Sequence, residues 1–484
     1  MGLLGILLAL GLLIWLAYRG WSVLLLAPAA ALLAAAVARE PLLAHWTQTF
    51  MISAANFLAQ FFPLFLLGAL FGKLMDDSGS VSAIARFMIE KLGMGRAVLA
   101  VVLAGAVVTY GGVSVFVAFF VLGPMALALF RSADIPRRLA PAAVGLGTLT
   151  FTMTALPGTP AIQNAIPMPF FGTTPFAAPG LGIVASAIML GFGLWWLGRA
   201  EAKARRTGEG YGAAASPPSV AVADDQLVRE HATVAREFDP AEIRHGHRSN
   251  TLPPVGLAAL PLFVVISVNL LMSLFILPRL DFAFLAEARW GATTLPAVAG
   301  VWAVAVALAA AILTLVLVNL RRLPALRESM DSGANASVLP AITVASLVGF
   351  GAVIAALPAF ATVREWVLSI EGGPLVSLAV ATNVLAALTG SASGGMTIAL
   401  DALGETYLRL AAEHGIDPAL LHRVAVIGSG TLDTLPHNGA IVTLLAVCGS
   451  THRESYFDIV MVAIVGAIIS LAAVIALGTI FGSF

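Results

Sequence analysis

The stretch GTLDTLPHNGA, residues 430–440, combines an acid and an imidazole with residues that break a helix. Asp433 and His437 are the only ionisable residues between Val424 and Val447, a run that is otherwise apolar. A carboxylate at membrane depth costs roughly 2.5–3.5 kcal/mol, so it usually faces a cavity or a partner. The pair is therefore predicted to take up and release a proton, and the alternative is that Asp433 caps the broken helix. Asp401, in an arm of a neighbouring hairpin, is a second candidate.

A second interrupted segment, TALPGTPA at residues 154–161, has the same Leu-Pro break but no titratable group. Pro157 and Pro436 cannot donate a backbone N–H, so each should end or kink its helix. The second piece of an interrupted helix begins with unpaired N–H groups, which stabilise an anion. We therefore expect a substrate anion at the breaks, with hydroxyl and amide groups beside it. The predicted binding residues there are Thr154, Gly158, Thr159, Thr434 and Asn438.

Two apolar hairpins, residues 96–131 and 374–410, carry TYGGVS and TGSASGG at their tips. Their arms are shorter than the ~20 residues of a spanning helix, so we predict re-entrant hairpins; two short tilted helices are the alternative. The tips are expected to bind a carboxylate from two sides, unless their small residues serve only close helix packing. The predicted binding residues at the tips are Gly111, Gly112, Ser114, Ser391, Ser393, Gly394 and Gly395.

These segments must be positioned by membrane helices, because 59% of the 484 residues are apolar and 11% are charged. A soluble chain has about 25% charged residues. The composition predicts an all-α polytopic membrane protein whose partners are lipid and a small molecule. The 26 basic and 26 acidic residues balance, so no nucleic-acid partner is expected. One cysteine excludes an intramolecular disulfide, and neither a metal nor a cofactor is predicted. His422 and Arg423, at the start of a span, are expected at the membrane interface.

An internal repeat organises the chain, since the Leu-Pro break and the Phe-Gly pair at residues 71–72 both recur 279 residues later. The ten predicted spans lie near residues 1–18, 21–37, 51–72, 141–156, 176–197, 255–277, 294–320, 338–360, 424–447 and 457–481. Five crossings per copy is an odd number, which predicts inverted repeats. With the N-terminus outside, most Lys and Arg residues fall on the cytoplasmic side, as the positive-inside rule requires. The predicted parts are a first membrane repeat (1–199), a cytoplasmic linker (200–253) and a second repeat (254–484).

Four separated blocks of the sequence, between residues 68 and 458, resemble the gluconate permease (GntP) family of the ion transporter superfamily. The similarity is greatest to the branch of hydroxybutyrate permeases. The blocks are GALFGKLMDDSGSVSAIA, LPGTPAIQNAIPMPFFGTTPFAAPGLGIVAS, GSASGGMTIALDALGETYL and LHRVAVIGSGTLDTLPHNGAIVTLL. The resemblance implies proton-coupled uptake of small hydroxylated carboxylates across a bacterial inner membrane. Its superfamily implies paired re-entrant hairpins in a homodimer.

The predicted function is proton-coupled symport into the cell of a small hydroxylated monocarboxylate, either a gluconate-type sugar acid or 3-hydroxybutyrate. A first alternative is a sodium symporter of the same fold, with Na⁺ bound at the hairpin tips. A second alternative is an intramembrane enzyme that uses Asp433 with His437. Thr154 occupies the position matching Asp433, so the first repeat supplies no second acid. The protein is therefore expected not to be an enzyme.

Overall fold

The computed structural model describes residues 2–18, 21–212, 249, 251–436 and 438–484. Within these ranges the regular structure is helical, and seven helices are long and apolar enough to cross a membrane. This confirms the predicted all-α polytopic membrane fold. His437 and most of the predicted linker lie outside the described residues.

The first half begins with two apolar helices and a long third one, which includes a π-helical turn at His45–Phe50. A hairpin, an interrupted segment and a long final helix follow. The bounds are α1 (Gly2–Tyr18), α2 (Val23–Ala38), α3 (Leu42–Asp77), α4 (Ser80–Leu92), α5 (Ala97–Tyr110), α6 (Val115–Ser132), α7 (Ala140–Thr148), α8 (Phe151–Thr154), α9 (Ile162–Ala165), α10 (Pro167–Phe171) and α11 (Pro179–Thr207).

The second half runs through a similar series of elements. Its bounds are α12 (Val255–Arg279), α13 (Leu295–Arg322), α14 (Leu326–Ala336), α15 (Val338–Ala356), α16 (Phe360–Leu368), α17 (Gly373–Thr389), α18 (Ala392–Glu413), α19 (Pro418–Leu432), α20 (Gly439–Val447) and α21 (His452–Phe481). The hairpin α17–α18 occupies the place of α5–α6, and the interrupted pair α19 and α20 the place of α7 to α9.

Helix packing also recurs between the halves. Helix α2 packs against α15, and its counterpart in the second half, α13, packs against α3. Likewise, α5 packs against α7 in the first half, and α17 packs against α19 in the second. The halves meet where α3 contacts α15 and where α11 contacts α21. This pattern agrees with an internal repeat, while the opposite orientation of the two copies stays a prediction.

The structure breaks both helices at the predicted prolines. Helix α8 ends at Thr154, before Pro157, and α9 begins at Ile162. Helix α19 ends at Leu432, before Pro436, and α20 begins at Gly439. In the first break Gly158, Thr159 and Pro160 are buried, whereas in the second break Thr434 is buried and Pro436 is exposed.

The hairpin arms differ in length. Helices α5 and α17 have 14 and 17 residues, and α6, with 18, is long enough to span. Helix α18 has 22 residues, so the prediction that all arms are shorter than a spanning helix was wrong for this arm. The turn between α5 and α6 contains Gly112 at φ +97°, a left-handed conformation that favours glycine. The re-entrant path of the hairpins stays a prediction.

Helix α11 continues to Thr207, into the segment predicted as linker. Glu201 and Arg205 form an i, i+4 ion pair at 2.8 Å on this extension. Such pairs stabilise an exposed helix. The predicted boundary missed this extension because a search for apolar runs does not detect a helix that carries charged pairs.

Candidate functional site

A cavity of about 130 Å³, the first cavity, lies where both helix breaks meet the tip of the second hairpin. Its walls come from both halves of the chain, with aromatic contributions from Phe65 on α3 and Phe116 on α6. The polar residues that line it are Thr154, Gln163, Thr343, Ser391, Ser393, Asp433, Thr434 and Asn438. The fold thus brings the two breaks, remote in sequence, to one enclosed space.

A second cavity of about 190 Å³ lies beside the first and contacts the tip of the first hairpin. Gly112 and Ser114 line it, together with Thr109 and Ser337. The residues that line both cavities are Phe65, Val115, Phe116, Met153, Ile162, Gln163 and Pro340. These shared side chains lie between the two cavities. The first cavity faces the tip of the second hairpin, and the second cavity faces the tip of the first hairpin.

Two helix N-termini point their caps at the first cavity. Ser391 caps α18, and its Oγ accepts a hydrogen bond from the Gly394 N–H at 3.2 Å. Asn438 caps α20, and its Oδ1 accepts from the N–H groups of Ala440 and Ile441 at 2.6 and 3.3 Å. First-turn N–H groups carry a partial positive charge, so the first cavity favours an anion.

The predicted site residues fall into three groups. Those that line the first cavity are Thr154, Ser391, Ser393, Asp433, Thr434 and Asn438. Gly112 and Ser114 line the second cavity. Those that lie behind the lining of both cavities are Gly111, Gly158, Thr159, Gly394 and Gly395. His437 is outside the described residues.

Two of the glycines behind the lining have packing roles. A Cβ added to Gly395 would lie 2.2 Å from the backbone N of Ala386, so this glycine brings the arms of the second hairpin together. Gly158 adopts φ +80°, and its carbonyl accepts from Asn269 Nδ2 at 2.9 Å. At these positions the structure agrees with the close-packing alternative that the sequence left open.

Asp433 follows the last residue of α19 directly and lines the first cavity. Its place fits the expectation that an acid at membrane depth faces a cavity. Asp401 is exposed on α18 and belongs to the lining of neither cavity. Of the two acids proposed from sequence, the geometry therefore favours Asp433.

The lining groups differ in how far their hydrogen-bonding capacity is used. Thr154 and Thr434 donate their hydroxyls to the carbonyls of Thr150 and Thr431 at 3.1 and 3.3 Å. In contrast, Gln163 Oε1 and Thr343 Oγ1 are buried without a hydrogen-bond partner among the described residues.

Sequence reasoning missed both of these residues. Gln163 sits just after the first break in PAIQNA, where a polar amide is a usable signal. Thr343 shares an otherwise apolar run with one other hydroxyl, that of Ser346, and nothing in its immediate neighbours marks it. Its significance depends on α15 packing close to both breaks.

His422 and Arg423 lie fully buried within the protein, behind the first break. Arg423 donates to the Ala177 carbonyl from Nη2 at 2.6 Å and to the Thr154 carbonyl from Nη1 at 3.3 Å. The imidazole of His422 is within 2.6 Å of the Thr173 hydroxyl. These partners come from α8 and from a loop of the first half, while the depth of His422 and Arg423 in the membrane stays a prediction.

Known proteins give the context of this architecture. The chain is 42% identical over 488 residues to YxjC of Bacillus subtilis strain 168, an uncharacterized transporter, and the match covers 99% of both chains. A shorter match to the high-affinity gluconate transporter of Escherichia coli K12 is 33% identical over 114 residues. It covers 23% of this chain and 25% of that relative. The model of the GntP family permeases matches residues 1–169.

Among solved structures, the fold is similar to that of Neisseria gonorrhoeae MtrF, which is described with a class of antimetabolite efflux pumps. The TM-score is 0.51 at 14% sequence identity, over 91% of this chain and 85% of that one. At this identity the likeness concerns the fold alone. The full-length relative and the family match together show that the chain belongs to the GntP permease family.

Proposed function

We propose that the protein is a proton-coupled symporter that carries a small hydroxylated monocarboxylate into a bacterial cell. The observation that carries this proposal is the first cavity, which combines two helix N-termini with the carboxyl group of Asp433. The N-termini are suited to the carboxylate of the substrate, and Asp433 is suited to carry the proton. The gluconate transporter among the relatives supports a hydroxy acid as substrate.

The charge of the lining supports a substrate with one negative charge. The lining that the structure describes for the first cavity contains neither Lys nor Arg. Helix N-termini and neutral donors stabilise a single carboxylate, whereas a dianion would need a cationic side chain to offset its desolvation. One monocarboxylate and one proton together move no net charge across the membrane.

The size of the first cavity supports a short substrate. An apolar cavity of about 150 Å³ accommodates one benzene molecule, so a cavity of about 130 Å³ suits an acid of roughly three or four carbons. A six-carbon sugar acid would have to extend into the second cavity. We therefore take 3-hydroxybutyrate as the first probe and gluconate as the second.

Transport in proteoliposomes tests the coupling ion. Purified protein is reconstituted, an inward proton gradient is imposed without sodium, and uptake of labelled 3-hydroxybutyrate and gluconate is followed. We expect accumulation that collapses when a protonophore is added. Accumulation that begins only when Na⁺ is supplied would overturn proton coupling and favour the sodium alternative.

Replacement of Asp433 by asparagine tests the proton carrier. We expect Asp433→Asn to abolish concentrative uptake and to keep part of the counterflow exchange, because exchange of substrate needs no net proton movement. The matched control is Asp401→Asn, which changes an exposed acid on α18. Normal accumulation by Asp433→Asn would remove Asp433 from the mechanism, and loss in the control alone would assign that role to Asp401.

A further inference from the structure

We propose that Thr343 and Gln163 together bind the hydroxyl group of the substrate and make the site selective for hydroxy acids over their deoxy analogues. The inference rests on the proposed function, which places a carboxylate in the first cavity. It concerns two residues that neither the sequence motifs nor the family resemblance singled out.

Thr343 has an unused hydroxyl in an unusual setting. Helical threonines commonly donate to the carbonyl four residues earlier, and Thr397 and Thr382 do so here at 2.7 and 2.9 Å. Thr343 lies within α15 with 4% of its surface exposed, yet its Oγ1 has no hydrogen-bond partner in the described part of the chain. Since the Thr343 side chain lines the first cavity, a ligand bound there is the partner that we assign to this hydroxyl.

Gln163 is the second group with unused capacity. Its Oε1 is buried without a partner among residues that the structure describes, and its side chain lines both cavities. The adjacent Asn164 differs, because its Nδ2 donates to the carbonyls of Thr159 and Pro175 at 3.1 and 3.0 Å. Of these two neighbouring amides, Gln163 is therefore the one left for a ligand.

The two side chains together match the hydrogen-bonding needs of an alcohol. A substrate hydroxyl donates one hydrogen bond and accepts others, and both a threonine hydroxyl and a glutamine amide can serve either role. Buried polar groups without partners are costly. A ligand hydroxyl that contacts both side chains would satisfy them, whereas a ligand that lacks it would leave them unsatisfied.

The other polar groups of the lining are less suited to this role. The Asn438 side chain caps α20 with its oxygen and donates to the Gly390 carbonyl at 2.9 Å with its nitrogen. The Ser391 hydroxyl accepts from an N–H group of its own helix and lies 3.2 Å from the Ser393 hydroxyl. The carboxylate and the hydroxyl of the substrate are thus assigned to different elements, the helix N-termini and the Thr343–Gln163 pair.

Binding of two matched acids tests the assignment. Isothermal titration of the purified full-length protein compares 3-hydroxybutyrate with butyrate, which lacks only the hydroxyl group. We expect Thr343→Val to weaken 3-hydroxybutyrate about tenfold and to change butyrate less than about twofold, so that selectivity is lost. Gln163→Leu should act in the same direction. Thr343→Ser keeps the hydroxyl and should keep the selectivity.

Thr443→Val is the matched control. Thr443 is also fully buried in a helix, and its Oγ1 also lacks a partner within the described ranges, but it lines neither cavity. This control should change neither affinity by more than about twofold. If Thr443→Val shifts the selectivity as much as Thr343→Val does, the effect does not come from the cavity and the inference is overturned.

The remaining outcomes separate this inference from the proposed function. Equal affinity of the wild type for both acids would overturn hydroxyl recognition and leave carboxylate transport standing. Equal weakening of both acids by Thr343→Val and Gln163→Leu would also overturn it. A wild type that binds neither these acids nor gluconate would overturn the proposed function itself. If Thr343→Val does not fold, as judged by thermal unfolding and gel filtration, Gln163→Leu and Thr343→Ser decide.

Discussion

At the scale of the residue, Asn438 connects the second break to the tip of the second hairpin. Its Oδ1 satisfies two N–H groups at the start of α20, and its Nδ2 donates to the Gly390 carbonyl at 2.9 Å. A single amide thus holds the helix N-terminus and the hairpin tip in a fixed relation beside the first cavity. An aspartate cannot reproduce both functions, because its carboxylate has no hydrogen-bond donor.

Replacement of Asn438 by aspartate separates helix capping from substrate binding. The carboxylate still accepts from the N–H groups of Ala440 and Ile441, so we expect the cap of α20 to be kept. It also brings a negative charge to the cavity and loses the bond to Gly390. Affinity for the substrate anion should therefore fall more than about tenfold in a titration.

Asp417→Asn is the control for that experiment. Asp417 caps α19 by accepting from the Ala419 N–H at 2.8 Å, and it lies outside the lining of the first cavity. This exchange of one capping residue for another should leave both stability and affinity nearly unchanged. Undiminished affinity in Asn438→Asp would show that the substrate carboxylate binds elsewhere.

The site could be predicted from the sequence where local chemistry determines it. Pro157 and Pro436 predicted the breaks because a proline lacks the N–H that continues a helix, although the helices continue through Pro28, Pro63, Pro124 and Pro261. Thr343 could not be found in this way, since a hydroxyl in a mostly apolar helix acquires a role only through packing. The buried contacts of Arg423 could not be found for a related reason, because its acceptors lie far away in the sequence.

At the scale of the element, Arg423 connects α19 to the break of the other half. Its guanidinium donates to the carbonyls of Ala177 and Thr154 and is fully buried. The Thr154 carbonyl belongs to the C-terminal residue of α8, where carbonyls lack partners within the helix and a cation is stabilising. Arg423 therefore holds the C-terminus of α8, in the first interrupted segment, against the N-terminal part of α19, in the second interrupted segment.

Arg423→Lys should be markedly destabilising although it conserves the charge. A lysine ammonium is compact and strongly hydrated, so it cannot reproduce a planar fork that reaches two carbonyls. We expect a loss of about 2 kcal/mol, the usual scale for hydrogen bonds to a charged group, seen as a lower melting temperature in detergent. The control is Arg409→Lys on α18, whose side chain is 65% exposed and should matter little. Equal melting temperatures for the two variants would contradict the role of Arg423.

Element boundaries show where sequence patterns stop being informative. The predicted span at residues 51–72 lies inside α3, which extends from Leu42 to Asp77. Its C-terminal extension carries Lys73, Asp76 and Asp77, and charges of this kind end an apolar run in a hydropathy analysis. The helix continues because these side chains are buried within the protein instead of facing lipid.

At the scale of the whole molecule, buried polar contacts join the two halves of the chain. Lys73 Nζ lies 2.8 Å from Asp77 Oδ1, and both side chains are fully buried. Ser329 of α14, in the second half, donates to Asp77 Oδ2 at 2.6 Å. Farther along the chain, Arg138 contacts Asp458 at 2.5 Å, which joins the halves at another point. The interface between the halves thus includes fixed polar contacts as well as apolar packing.

Asp77→Asn should therefore destabilise the whole molecule. It leaves the Lys73 ammonium buried without its counter-charge, and loss of one partner of a buried pair costs about 3–5 kcal/mol. The matched control is Glu90→Gln, which breaks a pair of the same i, i+4 spacing whose side chains are 66% and 60% exposed. That exposed pair should contribute less than about 1 kcal/mol. Both variants are compared by thermal unfolding of the purified protein.

The double variant Lys73→Met with Asp77→Leu shows whether the ion pair with Lys73 or the hydrogen bond from Ser329 accounts for the stability that Asp77 provides. If the cost of Asp77→Asn comes from the unpaired ammonium, removal of both charges should recover much of the lost stability, because apolar groups of similar size often replace a buried pair at little cost. If the double variant is as unstable as Asp77→Asn, the bond from Ser329 to Asp77 stabilises the halves instead. Ser329→Ala would then have to reproduce the loss, since it removes the donor from the second half and leaves the ion pair intact.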